Sequence, residues 1–188
     1  RTNRESGLSA IATAICGFTP EYGLLFDENR IPNLKVTVDC ELNEPVDYSI
    51  LGDWIGKQIQ PKWKIEYGPI PLIFGIKSLN SECRKALTAA AANYGSPMLF
   101  VDGFTENPTN MNLNAELIFT KSDLEKRYSE LAPKETVDLI TIGCPQASYE
   151  EVERTAELLN GKHMPKGRLW LFTSSDNFDK AKQKGYIK

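Results

Sequence analysis

Histidine and closely spaced cysteines are what this sequence has least of. His163 is the only histidine among 188 residues, and the four cysteines at positions 16, 40, 83 and 144 form no C-x-x-C pair. A zinc site assembled by this chain alone is therefore not expected. Because the cysteines fall in predicted helices, a strand and a turn, we expect reduced thiols rather than a disulfide framework.

Clustered positive charge and long apolar runs are also missing. The formal net charge is −3, and no group of lysines and arginines forms the basic patch that nucleic acids or anionic lipids require. No apolar run approaches the roughly 20 residues that span a bilayer, and the first residues lack the apolar core of a signal peptide. We therefore expect a soluble cytoplasmic protein with neither a nucleic-acid nor a membrane partner.

The composition that is present, 41% apolar and 25% charged residues, is that of an ordinary globular protein. The chain starts at Arg1 without a methionine and stops within Gly185–Lys188, where a further strand is predicted to begin. We interpret it as a fragment of a longer protein.

Apolar periodicity predicts an α/β fold with parallel or mixed sheets flanked by helices. Leu34–Leu42 alternates apolar and polar residues, which indicates a half-buried strand, and we expect that strand to be antiparallel. Residues 70–101 read as strand, helix and strand, the order of a parallel unit with a crossover helix. The unpatterned stretch 62–71 suggests two subdomains, 1–68 and 69–188.

The predicted second helix carries two pairs of residues spaced four apart. Asp47 is expected to cap it. Gly52 and Gly56 indicate close backbone packing, and Asp53 with Lys57 is interpreted as a solvated ion pair. Cys40 and Cys83, in a neighbouring strand and helix, are predicted core residues.

Val137–Ser148 is the stretch that concentrates chemical possibilities. Its β-branched run predicts a strand buried on both faces, which we expect the Gly143–Pro145 turn to end. Ser148, with Glu151 three residues later, has the capping-box pattern of a helix start. Cys144 is thereby predicted between a strand end and a helix N-terminus, where α/β proteins bind ligands and amide dipoles favour a thiolate. The alternative is a cysteine that only packs in a turn.

Two other polar segments are candidates for ligand contact. Thr173 and Ser174 end the next predicted strand, so parallel pairing would place them beside Cys144. The segment Arg1–Glu5 precedes a helix predicted over Leu8–Cys16, and its arginines and asparagine are able to clamp a carboxylate or phosphate. A solvated chain end is the alternative for that segment.

An ordered set of short motifs resembles the large subunit of aconitase X, a family of hydro-lyases. In chain order these motifs are Arg1–Glu5, Thr19–Leu24, Asp47–Tyr48, Leu51–Gly52, Gly56–Lys57 and Gly143–Pro145. The resemblance covers nearly the whole chain, and several motifs in one order are more specific than any one of them. It implies an aconitase-like α/β fold and a dehydratase acting on a small hydroxy acid.

The resemblance also implies a cofactor, an iron–sulfur cluster of the 4Fe-4S or 2Fe-2S type, held by three cysteines with one iron open to the substrate. Cys144 is the implied metal ligand and catalytic residue, and the other two ligands are expected upstream and downstream of this chain. Ser148 is a second implied catalytic residue. The implied substrate-binding residues are Arg1, Thr2, Asn3, Arg4, Glu5, Thr173 and Ser174. The implied partners are the small swivelling-domain subunit, or a fused domain, and the remaining segments of the large subunit.

The sequence departs from the family pattern at three places. Gln146 stands where the family usually has histidine after Gly-Cys-Pro, Phe100 stands where it has another histidine, and Thr105–Asn107 replaces a Thr-Pro-Glu turn. Glutamine donates hydrogen bonds but does not relay a proton near neutral pH. The substrate is therefore expected to differ from the known ones, or the activity to be lost.

Three functional hypotheses follow. The first is a catalytic portion of an aconitase X-like dehydratase, and the second is a non-catalytic α/β binding or assembly module derived from that family. The third, an enzyme with Cys144 as nucleophile, is weak because His163 lies in a predicted exposed loop and is the only histidine.

Overall fold

Contacts between elements divide the chain into two units, Arg1–Glu130 and Leu131–Lys188. The computed structural model describes residue 3 and residues 5–59, 69–106, 108, 110–132, 137–162 and 168–187. Arg1, Thr2, Arg4, His163 and most of the 62–71 stretch therefore lie outside the described residues. The expected division at residue 68 falls inside the first unit instead, because the strands on either side of it are paired in one sheet.

Unit 1, residues 1–130, is an α/β layer built on one parallel sheet. Its strands are β1 (Leu34–Asp39), β2 (Pro71–Phe74), β3 (Phe100–Val101) and β4 (Ala115–Thr120), and its helices are α1 (Gly7–Cys16), α2 (Pro45–Ile59), α3 (Ser81–Asn93) and α4 (Lys121–Leu131). Two short 3-10 helices, Gly23–Leu25 and Asp27–Arg30, join α1 to β1. The predicted α1 is confirmed, with Gly17 in the left-handed conformation as its end.

The strand order in this sheet is β3-β2-β1-β4, and every neighbouring pair is parallel. The prediction of an antiparallel β1 is therefore wrong, although its alternating burial is real. The alternation arises because the inner face of the sheet carries the helix-packed core, while Lys35 and Thr37 lie on the opposite face with Glu116. The order reverses between β1 and β4, which is the switch point of an open α/β sheet.

The core of unit 1 depends on a close approach of α2 to α3. Ile50, Leu51 and Ile55 of α2 are each 2% exposed or less. The predicted close packing at Gly52 and Gly56 is confirmed: a Cβ atom on Gly52 would lie 2.9 Å from the Ala90 Cβ and would also overlap the backbone of α3. Cβ groups at these positions would push the two helices apart.

Two carboxylates, the half-buried Asp53 and the buried Asp47, tie α2 to its neighbours. Asp53 accepts bonds from Arg127 Nε at 2.8 Å and from Tyr94 Oη at 2.8 Å, so its main partner is not the predicted Lys57, which lies 3.9 Å away. Asp47 is not the helix cap, because α2 begins at Pro45. Its carboxylate accepts bonds from two preceding backbone amides and from Tyr128 Oη at 2.6 Å.

Unit 2, residues 131–188, repeats the strand-turn-helix pattern twice. Its elements are β5 (Ile140–Ala147), α5 (Tyr149–Leu159), β6 (Leu169–Thr173) and α6 (Ser175–Gln183). The strands pair in parallel, and Ala147, Val152 and Ala181 form the buried centre of the unit. The prediction that the strand before Cys144 is buried on both faces is wrong. Ile140 is 47% exposed, because the described residues of unit 2 contain only two strands and two helices, too few to cover both faces of β5.

The helices that the structure describes include none with the length and hydrophobicity needed to cross a lipid bilayer.

Candidate functional site

Cys144 lies on a bulge near the carboxyl end of β5. The register pairs Ile142 with Leu171 and then Ala147 with Thr173, so five residue steps on β5 match two on β6. The Gly143–Pro145 turn therefore does not end the strand, as we had expected, but displaces it from the ladder before pairing resumes. The Cys144 side chain is exposed, and the Cys144–Pro145 peptide bond is cis.

Gly143 lets the bulge lie directly against β6. A Cβ atom at this position would meet the Phe172 Cβ at 2.5 Å and the Phe172 carbonyl oxygen at 2.7 Å. The φ angle of Gly143 is +139°, which L-residues rarely adopt. The glycine of the Gly-Cys-Pro motif is thus required both by its backbone conformation and by the closeness of the neighbouring strand.

The turns that follow β5 and β6 lie side by side, because Ala147 at the end of β5 is paired with Thr173 at the end of β6. The prediction that parallel strands bring the ends of these two units together is confirmed, and the substrate contacts of Thr173 and Ser174 stay a prediction. Ser148 caps α5 in a complete capping box: its Oγ accepts the Glu151 amide at 3.2 Å, and the Glu151 carboxylate accepts the Ser148 amide at 2.7 Å. Ser174 caps α6 through its own Oγ, which accepts the Asn177 amide at 3.3 Å. Two helix N-termini therefore start from the edge of the sheet that carries the Cys144 bulge.

The Ala147 carbonyl oxygen joins these two turns. Thr173 Oγ1 donates to it at 2.6 Å, and Asn177 Nδ2 donates to it at 3.4 Å. Sequence analysis did not single out Asn177, since an asparagine in the first turn of a helix is common and its partner is 30 residues away. A polar residue three positions after the predicted Ser174 cap is the only signal that pointed to it.

The other cysteines are in different surroundings. Cys83 is 3% exposed in the core of unit 1, as predicted, and burial raises the pKa of its thiol. Cys40 is half-buried at the end of β1, where burial and the nearby carboxylate of Asp47 raise its pKa. Cys16 is exposed on α1. Raised pKa values favour the protonated thiol, which is a poor nucleophile and metal ligand.

Two described residues of the predicted substrate-binding segment are bonded within unit 1. Asn3 Oδ1 accepts the Leu24 amide at 2.6 Å, and Asn3 Nδ2 donates to the Tyr22 carbonyl at 2.9 Å. Glu5 accepts bonds from Ser9 Oγ at 2.7 Å and from Tyr22 Oη at 3.0 Å, and these bonds lower its pKa. Both side chains pin the start of α1 to the Tyr22–Leu24 segment, and their contact with a substrate stays a prediction.

Metal-ligating side chains do not cluster within the described ranges. No group of three or more histidine, cysteine, aspartate or glutamate side chains there is arranged to hold a metal ion. Cys144 alone combines an exposed thiol with a position at the carboxyl edge of a parallel sheet. The residues present therefore fit one ligand of a metal centre and not a complete ligand set.

Comparison with known families assigns both units. The model of the aconitase X second domain matches residues 32–129, and that of the aconitase X third domain matches residues 137–188. The chain belongs to the aconitase X family. Along the sequence, the boundary between the two matched domains coincides with the boundary between the two structural units. The resemblance inferred from the short motifs is confirmed.

Individual aconitase X proteins match along almost the whole chain. The phosphomevalonate dehydratase large subunit of Methanosarcina mazei is 39% identical over 94% of this chain, and that of Methanothermobacter thermautotrophicus is 37% identical over 99%. The crystal structure of Thermococcus kodakaraensis aconitase X in its holo-form superimposes with a TM-score of 0.84 at 35% identity over 99% of this chain. These matches cover 42%, 46% and 48% of the respective relatives, so the chain spans about half their length.

Proposed function

We propose that the chain is a catalytic portion of an aconitase X-type dehydratase that removes water from a phosphorylated hydroxy acid of the phosphomevalonate kind. The observation that carries this proposal is the exposed Cys144 on the β5 bulge, beside two helix starts on one sheet edge. Support for the substrate class comes from the relatives, which are named phosphomevalonate dehydratase large subunits. Helix N-termini are suited to the anionic groups of such a substrate.

The proposed cofactor is an iron–sulfur cluster of the 4Fe-4S or 2Fe-2S type with Cys144 as one ligand. When bound, such a cluster supplies a Lewis acid that can take the hydroxyl and carboxylate oxygens of a hydroxy acid. The remaining ligands are proposed to come from segments outside this chain, because the described residues offer no second exposed cysteine in unit 2. The cysteine ligand would be held by the bulge, and Gly143 would set the distance between that bulge and β6.

The proposed assembly contains a small subunit or domain and the rest of the large subunit, located in the cytoplasm. It is supported by the name "large subunit" of the relatives and by the half-length match. Within this assembly, Arg1, Thr2, Asn3, Arg4 and Glu5 remain the proposed carboxylate or phosphate clamp, and Ser148, Thr173 and Ser174 the proposed polar groups near the cluster.

Gln146 and Phe100 limit which proton transfers this chain is able to perform. Gln146 is an exposed amide on the bulge, and Phe100 is a half-buried ring in β3. Neither side chain titrates, so the general base of the proposed reaction is assigned to a residue outside these two positions.

Anaerobic copurification of the complete protein with its small subunit tests the proposal. We expect iron and sulfide in stoichiometric amounts and dehydration of phosphomevalonate or of a related phosphorylated hydroxy acid. The Cys144→Ser variant is expected to lose both, whereas Cys16→Ser, which changes the other exposed cysteine, should keep both. A preparation without iron that dehydrates no hydroxy acid would favour the non-catalytic binding module, and equal behaviour of the two variants would refute Cys144 as a ligand.

A further inference from the structure

The Cys144 bulge is joined to the regular ladder at each of its two ends. At the entry, Ile142 is paired with Leu171 in the parallel ladder. The register then skips to Ala147 opposite Thr173, so the intervening residues lie off the regular ladder. The direction in which Cys144 projects therefore depends in part on how firmly the chain is held at Ala147, in addition to the packing of Gly143 on β6.

The exit point at Ala147 is held across the two strands by side chains. The Ala147 carbonyl oxygen accepts the short bond from Thr173 Oγ1, at 2.6 Å, and the longer one from Asn177 Nδ2, at 3.4 Å. The side chain of Ala147 is 2% exposed, so water is a poor substitute for these donors. The two bonds of the capping box, between Ser148 and Glu151, lie within the start of α5.

We propose that Thr173 is a positioning residue for Cys144, acting through the Ala147 carbonyl, with Asn177 as the weaker second donor. The role of Cys144 as a cluster ligand rests on the proposed function, but the two hydrogen bonds to the Ala147 carbonyl rest only on the geometry. The Thr173 hydroxyl donates its one proton to the Ala147 carbonyl and keeps its lone pairs, so towards a substrate it can act only as a hydrogen-bond acceptor.

The proposed role of Thr173 differs from general stabilisation of unit 2, because its hydrogen bond holds the chain at Ala147 only. Removing the hydroxyl takes away the shorter of the two side-chain bonds to the Ala147 carbonyl and leaves the bond from the Asn177 amide, whose 3.4 Å length is near the limit of a hydrogen bond. Local opening at Ala147 and Ser148 should then become about tenfold more frequent. The helix bodies of unit 2 keep their own hydrogen bonds and should open as before.

Three variants of the full 188-residue chain separate these effects. Thr173→Val removes the hydroxyl and keeps the branched shape, and Thr173→Ser keeps the hydroxyl. Thr155→Val is the matched control, because Thr155 Oγ1 also donates to a backbone carbonyl at 2.6 Å, that of Glu151, but within α5. Each is prepared in a Cys16→Ser background, so that a nitroxide label attaches to Cys144 as the remaining exposed cysteine of the described residues.

Two readouts are taken, exchange of the Ser148 amide hydrogen and the mobility of the nitroxide on Cys144. We expect Thr173→Val to speed the exchange about tenfold and to narrow the nitroxide spectrum, with Thr173→Ser and Thr155→Val matching the parent. Equal spectra in all three variants would overturn the proposal, as would faster exchange spread evenly over α5 and α6. Neither readout needs iron or substrate, so a failed dehydration assay leaves this result independent.

Discussion

Units 1 and 2 are both parallel α/β layers, but they are stabilised differently. The core of unit 1 contains fifteen buried side chains among the described residues, including Tyr48, Trp54 and Phe119. Unit 2 has a buried centre of three small or medium residues, and its Trp170 and Phe172 are 53% and 52% exposed on one face of the sheet. The two rings contact each other edge to face, with centroids 6.4 Å apart.

The difference in core size shows that hydrogen bonds matter more for the local geometry of unit 2 than for that of unit 1. In unit 1, burial of large apolar side chains fixes the elements, and polar pairs such as Asp53 with Arg127 add to it. In unit 2, the candidate site is positioned by helix caps, a glycine and one buried carbonyl. A small change at those groups is therefore expected to affect Cys144 more than the stability of the unit.

The largest expected effect comes from removing a buried tryptophan. Trp54 is 8% exposed and lies 5.1 Å from Phe119 between ring centroids, so Trp54→Ala should lower the free energy of unfolding by about 4 kcal/mol. The same change at Trp170, on the open face of unit 2, should cost less than about 1 kcal/mol. Urea unfolding followed by circular dichroism measures both, and equal losses would show that the face of Trp170 is covered.

The next effect tests the helix contact of unit 1. Gly52→Ala places a Cβ atom 2.9 Å from the Ala90 Cβ and the Ala91 nitrogen, and should cost about 3 kcal/mol because a neighbouring backbone cannot yield cheaply. Gly7→Ala is the control, since a Cβ there meets nothing within 4 Å, and it should be neutral or stabilise by up to about 1 kcal/mol. Thermal unfolding that ranks the two variants in the opposite order would contradict the packing account.

The smallest of the three effects concerns the buried carboxylate of Asp47. Asp47→Asn should cost about 2 kcal/mol at neutral pH, because an amide cannot accept all the bonds from the two backbone amides and Tyr128. Asp39→Asn, which changes an exposed carboxylate at the end of β1, should stay within about 0.5 kcal/mol. Denaturant titrations at pH 7 distinguish the two.

The hydrogen bond between Tyr128 and Asp47 should also make the free energy of unfolding depend on pH. Burial would raise the pKa of Asp47, but the bonds from Tyr128 and the Glu44 and Asn43 amides outweigh it and lower the pKa. Its contribution should therefore be present above about pH 4 and be lost as the pH falls through the lowered value. Burial and the Asp47 bond raise the pKa of Tyr128 to about 12, so its contribution should be lost between about pH 10 and pH 12. Asp47→Asn should flatten the acid limb.

Local patterns predicted the parts of the fold that depend on local chemistry. The Ser148–Glu151 capping box, the end of α1 after Cys16 and the close packing of α2 at Gly52 and Gly56 are encoded within a few residues, and each is found in the structure. The family resemblance, based on several short motifs in order, is also confirmed. The parallel pairing of β6 with β5, which places Thr173 beside the Cys144 turn, followed from the order of strand and helix.

What could not be predicted depends on partners distant in sequence. The direction of β1 was wrong because alternation reports which face is covered and not which way the neighbouring strand runs. The Asp53–Arg127 pair spans 74 residues, and i,i+4 spacing suggested Lys57 instead. The apolar residues before Cys144 suggested a strand buried on both faces, whereas β5 has one open face. The pairing of β5 that continues after Gly143 depends on its register with β6, which local sequence does not show. Asn177 was missed for the same reason.

The outer strands of the unit 1 sheet have unequal lengths, with two residues in β3 and six in β4. Among the described strands, each of these is paired on one side only, and an unpaired strand edge is a template for adding a strand from another molecule. β3 is too short to guide such addition, so fibre-like stacking would have to proceed along β4. Glu116, the second residue of β4, places a charge on that strand, and a charge on an edge strand disfavours pairing with another molecule.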